Sequence, residues 1–237
     1  MVKIDYYATQ SFLNLASLQS KIAKAHVDAS LLDAAIFWFT NIERQKHHLK
    51  QLKFHAKLRQ TAILHSEQMK RHNFFSHDNI FEASYKTLTD RINSVKDNTF
   101  QGFMSWGENI ADSPVIKANE TFTVENRTGA PRYFSTTGKE IFPYTYYELA
   151  KNAVAGWMTS LGHRANILNP DFEFLGCGST NREQQEILTF LLTQNFGGTL
   201  IEKNKNYPEL FKSLSFGINK NKLNRLFGDL RQKKLKI

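Results

Sequence analysis

A single cysteine, Cys177, in a chain of 237 residues removes every internal disulfide and every zinc knuckle built on paired thiolates. Whatever fold the chain adopts must be held by side-chain packing. The material for that is present: 41% of residues are hydrophobic and 13% aromatic, including 19 Phe, the composition of a globular chain rather than a disordered one. The length fits one large domain, or one ordinary domain with extensions. Cys177 itself reads as a small apolar residue within Leu175-Gly-Cys-Gly178, with no adjacent basic residue or histidine to lower its pKa and make it reactive.

Hydrophobic spacing organises the rest. Phe12, Leu15, Leu18, Ile22 and Ala25 recur at helical steps and predict an amphipathic helix between Ser11 and Val27. Further helices are predicted from Leu31 to Glu43 and from Phe54 to Arg71, the latter with Leu58, Ala62, His65 and Met69 on one stripe and Phe74-Phe75 closing it in an apolar corner. Residues 112–145 carry Pro114, Pro131 and Pro143 and alternating stretches such as Phe122-Thr-Val124, which predict an insertion of loop and hairpin. A fourth helix is predicted from Tyr146 to Ser160, burying Ala150, Val154, Trp157 and Leu161, with Gly162 stopping it and His163 just past its end. Glu186 to Phe196 suits a buried strand that closes at Gly197-Gly198.

The longest apolar run, Leu31 to Phe39, is nine residues and is interrupted by Asp33, far short of the roughly 18 that would span a bilayer. The N-terminal residues lack a basic start, an apolar core and a small-residue cleavage site, so no signal peptide is expected in this chain. The formal charge of +9 sits mostly in residues 201–237, which hold ten Lys or Arg against three Asp or Glu. There Leu223, Leu226, Phe227 and Leu230 follow helical spacing among the cations, a basic amphipathic extension. No cationic face interleaved with stacking aromatics is visible, so nucleic acid is not an expected partner.

Six of the eight histidines fall between His47 and His77. His47, His48 and His55 lie in a Lys-rich connector and read as solvated. His65 and His72 are seven apart, not the four of an HExxH zinc helix, and read as a core and a surface histidine. Four segments carry more information: Asn73-Phe-Phe-Ser-His-Asp78, Trp106-Gly-Glu-Asn-Ile-Ala111, Trp157-Met-Thr-Ser-Leu-Gly-His-Arg-Ala-Asn-Ile-Leu168 and Leu192-Thr-Gln-Asn-Phe-Gly-Gly198. In this order they resemble the CAP superfamily, also called the SCP domain, in a bacterial-type member. The resemblance covers residues 31–198, leaving a helical extension at 1–30 and the basic extension at 199–237.

The resemblance implies an α+β fold, an αβα sandwich with a central, mainly antiparallel sheet between helical layers. It also implies a cleft lined by two histidines and two acids. His77, Glu108 and His163 match three of those four, while the position of the second acid holds Ser160. Two imidazoles and a carboxylate could hold a zinc ion with a position left for water, Glu108 serving as ligand or, in a hydrolase, as general base. Equally, Glu108 could hydrogen-bond a charged histidine and brace converging loops. Ser76 beside His77 does not make a nucleophile pair, since neighbours in extended chain point to opposite faces. Arg164 and Asn166 are expected to anchor the chain after the helix.

Three functions follow as expectations: a secreted, periplasmic or surface binding protein, a metal-dependent hydrolase using the same cleft, and a lipid carrier. The first is preferred, with an extracellular ligand, a lipid or a cell-envelope component as partner and a monomeric chain.

Overall fold

The computed structural model describes residues 6–101, 103–117, 122–125, 131–184 and 186–199. The basic extension, with Leu223, Leu226, Phe227 and Leu230, lies outside the described residues. The elements in chain order are helix α1 (Ala29–Lys46), strand β1 (Lys53–Phe54), helices α2 (Ala56–Arg71) and α3 (Leu88–Val95), strands β2 (Phe103–Pro114), β3 (Phe122–Glu125), β4 (Arg132–Ser135) and β5 (Glu140–Ile141), helices α4 (Tyr146–Thr159) and α5 (Leu161–Ile167), and strands β6 (Phe174–Gln184) and β7 (Ile187–Thr199).

Four strands form the central sheet in the order β1-β6-β7-β2; only the short β1 is parallel to its neighbour β6. Strand β7 is buried along nearly all its length because both faces are covered, which is why its sequence is a run of apolar residues rather than an alternation. The two-residue period of β6 assigns the layers. Its even positions face α2 at very close range: a Cβ on Gly176 would lie 2.0 Å from the backbone nitrogen of Arg59, and one on Gly178 2.2 Å from that of Ile63. Its odd positions face α1, where Ser179 Oγ donates to Asp33 Oδ1 at 2.6 Å. With α2 on one face and α1 packed beside α4 on the other, the architecture is the expected αβα sandwich.

Asp33 is the residue that interrupts the apolar run of α1, and it is fully buried. Burial pushes its carboxyl up to about 7, against the hydrogen bond from Ser179 and the pull of Arg59, whose Nη2 donates to Oδ2 at 2.8 Å. The sheet β3-β4-β5 occupies the expected insertion, although Asp112 to Pro114 complete β2 rather than begin a loop.

Several expectations need correcting. The segment predicted as a helix between Ser11 and Val27 forms two short 3-10 turns, Gln10–Asn14 and Ala16–Gln19, separated by extended backbone at Leu15. Phe12, Leu18 and Ile22 are nonetheless buried, so the apolar pattern served a winding strap rather than one helix. Phe75 is exposed and does not complete an apolar corner. Helix α4 ends at Ser160, where the backbone turns extended, and a new helix begins at once. Leu161 is therefore 76% exposed, Gly162 lies inside α5 rather than stopping α4, and His163 is helical. Strand β7 runs on through Gly197 and Gly198, which pair with Trp106 and Ser105 of β2.

Candidate functional site

The site is assembled from four elements. Helix α2 lies against β6 and β7, where Ser66 Oγ hydrogen-bonds the Gly178 carbonyl and the Thr193 hydroxyl. This sets His65, fully buried, beneath the loop that follows the helix, and its Nε2 donates to the Ser76 carbonyl at 3.0 Å. Burial drops the His65 pKa to about 4, so it is a neutral core imidazole, as its spacing suggested. His55 is not the solvated residue expected: it is buried, caps α2 by accepting from the Leu58 N–H at Nδ1, and packs against Phe100, Phe103 and Phe174. His72 pairs with Glu82 at 2.8 Å and stacks on Phe81 at the surface.

Helix α3 supplies the residue that sequence reasoning missed. Its N-terminus is a capping box in which Thr87 and Asp90 hold each other's backbone N–H groups, and this places Arg91 wholly inside the protein. Arg91 Nη1 donates to the carbonyls of His77, Tyr85 and Lys86, each at 3.1 Å. Its Nη2 donates to both oxygens of Glu108, at 2.9 and 2.7 Å. One guanidinium thus staples the loop carrying His77 and clamps the carboxylate in front of it.

Glu108, on β2, is 8% exposed. Besides Arg91 it accepts from His77 Nδ1 at 2.9 Å. With the Asn195 amide turned so that its oxygen accepts from the Ala62 N–H, the amide nitrogen donates to Glu108 Oε2 at 3.1 Å. A carboxylate offers about four lone-pair sites, and here they are filled. Burial pushes the Glu108 carboxyl up, but the hydrogen bond from His77 and the charge and hydrogen bonds of Arg91 outweigh it and hold the group below the ordinary carboxylate range.

His77 is half-exposed, and the hydrogen bond from its Nδ1 to Glu108 raises its pKa above the ordinary histidine value. That bond fixes the tautomer: with the Nδ1 proton on the carboxylate side, Nε2 of the neutral ring keeps its lone pair. His163 sits on α5 and is held through its backbone, its carbonyl accepting from Asn109 Nδ2 at 3.2 Å. Burial, and then the neighbouring charge of His77, keep its pKa low. Asn166 anchors this turn as expected, donating to the Glu108 carbonyl at 3.0 Å and to Asn109 Oδ1 at 2.9 Å. Ser76 Oγ accepts from the Asp78 N–H, a local turn. Arg164 is exposed.

His77 and Glu108 therefore touch, and His163 lies close enough to feel the charge on His77, but the three do not converge as equal ligands. Among the described residues no three His, Cys, Asp or Glu side chains are grouped to hold a metal ion. What the geometry does contain is a carboxylate, Glu108, that orients the His77 imidazole through Nδ1.

The sequence profile of the cysteine-rich secretory protein family, CAP, matches residues 39–196, a span that begins within α1, ends within β7 and holds all the site residues just described. The chain belongs to the CAP family. Among its relatives are two proteins of Bacillus subtilis (strain 168). The uncharacterized membrane protein YlbC is 31% identical over 139 residues, 59% of this chain and 29% of that protein. The uncharacterized protein YkwD is 29% identical over 149 residues, 63% of this chain and 42% of that protein. This CAP chain thus spans less than half the length of either. Of solved structures, an extracellular protein containing an SCP domain from Bacillus anthracis str. Ames is 30% identical, with a TM-score of 0.48, covering 71% of this chain and 40% of that one. Among the described residues no helix is long and apolar enough to cross a membrane.

Proposed function

We propose that this chain is a CAP-family binding module that works outside the cytoplasm, secreted, periplasmic or held at the cell surface, and that its cleft binds rather than turns over its ligand. The observation that carries this reading is the saturation of Glu108. A general base must offer an open lone pair and a pKa near the working pH. Glu108 has its oxygens filled by Arg91, His77 and Asn195, and its carboxyl is held low. Ser160, where an acid would stand in a two-acid cleft, offers no replacement. Family membership supports the location.

A divalent cation such as zinc is a ligand this cleft would take through two imidazoles, His77 at Nε2 and His163, with Glu108 orienting His77 from behind. Bound there, zinc would supply a Lewis acid with open positions for a second ligand. Two neutral ligands, with the one nearby carboxylate neutralised by a guanidinium, make a weak to moderate site. Calorimetric titration of zinc is expected to show binding to the wild type, at least about tenfold weaker binding to a His77→Ala, His163→Ala double variant, and loss as the pH falls through about 6.5, because a protonated imidazole cannot ligate. His77, raised by Glu108, protonates first on that descent. Equal zinc affinity in the two proteins would refute the metal part of the reading.

A further inference from the structure

Among the described residues two acidic side chains are buried, Asp33 and Glu108, and the protein treats them oppositely. Glu108 is met by four hydrogen bonds, from Arg91, His77 and Asn195. Asp33 receives two: Ser179 Oγ donates to Oδ1 at 2.6 Å and Arg59 Nη2 to Oδ2 at 2.8 Å. About half of its lone-pair sites are thus unfilled. Its cation is also the weaker partner. Arg91 is enclosed and reaches both oxygens of its carboxylate, whereas Arg59 is partly exposed, touches one oxygen, and shares Nη2 with Ser30 Oγ at 3.1 Å. Ionised Asp33 is therefore stripped of water without full replacement.

The neutral acid fits the same cage. Protonated Asp33 keeps accepting from Arg59 at Oδ2, while a proton taken from solvent onto Oδ1 is donated to Ser179 Oγ. A hydroxyl both accepts and donates, so Ser179 turns its own hydrogen to the Ala29 carbonyl, 3.5 Å away. The neighbours hold their own charge states through this change. Tyr7, from the segment before α1, and Cys177 of β6 stay neutral, because burial first and the charge of Asp33 second push both groups up. Burial opposes the Arg59 cation on α2, but the charge of Asp33 outweighs it. Asp28, the N-cap of α1, adds a negative charge that disfavours ionised Asp33. Asp33 is the member of this cluster that changes.

We infer that Asp33, Ser179 and Arg59 form a proton-operated lock joining α1, β6 and α2, tight while Asp33 holds its proton and loosened when Asp33 ionises. An acid whose pKa is raised on folding binds its proton more tightly in the folded chain than in the unfolded one. From the ordinary 3.8 to about 7, stability contributed at Asp33 therefore falls as the pH rises, and above 7 the buried charge weighs in full. Helix α1 packs on β6 and α4, so the lock sits where one helical layer meets the sheet. It uses no residue of the histidine cleft and stands apart from the binding reading.

The test compares melting temperatures of the full chain and of Asp33→Asn from pH 4.5 to pH 8. The introduced amide copies the neutral state, its oxygen facing Arg59 and its nitrogen donating to Ser179 Oγ. Other groups titrate over the same range, buried His65 with the opposite sign, so the difference between the two proteins isolates the lock. From pH 4.5 to pH 8 that difference should move in favour of Asp33→Asn by at least about 5 °C. Carboxyl carbon NMR of Asp33 in the wild type should show its proton leaving between about pH 6 and 8, and Arg59→Gln should raise that midpoint by at least about one unit. Parallel melting curves would overturn the inference, as would an Asp33 carboxyl that ionises below about pH 5 or a midpoint indifferent to Arg59→Gln. If Asp33→Asn does not fold, the carboxyl titration of the wild type decides alone.

Discussion

Replacing Arg91 with alanine is expected to destabilise the domain by about 3–5 kcal/mol, the range for removing one partner of a buried ion pair and stranding the other. Arg91 is fully buried and makes five hydrogen bonds, three to carbonyls of the 77–86 loop and two to Glu108. Its loss leaves the Glu108 charge in a protein interior with only His77 and Asn195 as donors, and it frees three carbonyls at once. Urea denaturation should show the midpoint falling with little change in slope. Arg91→Lys should recover only part of the loss, because an ammonium cannot reproduce the forked geometry that reaches Glu108 and three carbonyls together. The double variant Arg91→Met, Glu108→Gln should lose less than the sum of its single changes, since it removes both charges. A shift below about 1 kcal/mol for Arg91→Ala would mean that water or another cation replaces the guanidinium readily, and that the clamp on Glu108 is weak.

Trp157→Ala is expected to cost a similar amount, about 3–5 kcal/mol, through lost packing rather than lost charge. The indole is 2% exposed and lies in the main core with Val154 and Leu149 of its own helix. It also donates from Nε1 to the Ile110 carbonyl at 3.0 Å, so truncation both opens a cavity and unpairs an edge group of β2. Trp157→Phe separates the two effects: it keeps most of the apolar volume and should lose about 1 kcal/mol for the hydrogen bond. An unchanged denaturation midpoint for Trp157→Ala would show that α4 does not pack on the sheet as described.

Much of this fold is legible in the sequence because burial writes a period into it. The stripe Leu58, Ala62, His65 and Met69 marks the face of α2 that meets the sheet, and all four are buried. The apolar run after Glu186 marks a strand covered on both faces. The reading fails where period is a poor guide. Phe12, Leu18 and Ile22 sit at helical steps, yet extended residues between the 3-10 turns break the helix while leaving the same side chains inward. Leu161 fits the stripe of α4 on paper and points to solvent, because the chain turns at Ser160 one residue before it. His55 looks solvated among lysines, but a helix N-terminus needs an acceptor and its ring provides one.

Of the site, His77, Glu108 and His163 are legible from ordered motifs, and Asn166 from its place in one of them. Arg91 is not, because α3 is too short for its periodicity to stand out and nothing near Arg91 in sequence announces a carboxylate partner. The signal that could have located the helix is Thr87-Leu-Thr-Asp90, the spacing of a capping box. Even then, the partnership with Glu108 is a tertiary fact, fixed by α3 packing against α2 and β2. That partnership reverses the meaning of the acidic residue, from a group available for chemistry to one whose charge is already spent on holding two loops together.

Carboxyl carbon NMR of Glu108 across a pH titration of the metal-free protein reads that locked carboxylate directly. Glu108 is expected to stay ionised from neutral pH down through the ordinary glutamate value of 4.5, with His77 titrating above 6.5. A Glu108 carboxyl that takes up its proton between about pH 6 and 8, the range in which a general acid or base must exchange one, would contradict the account and restore the cleft as a catalytic site.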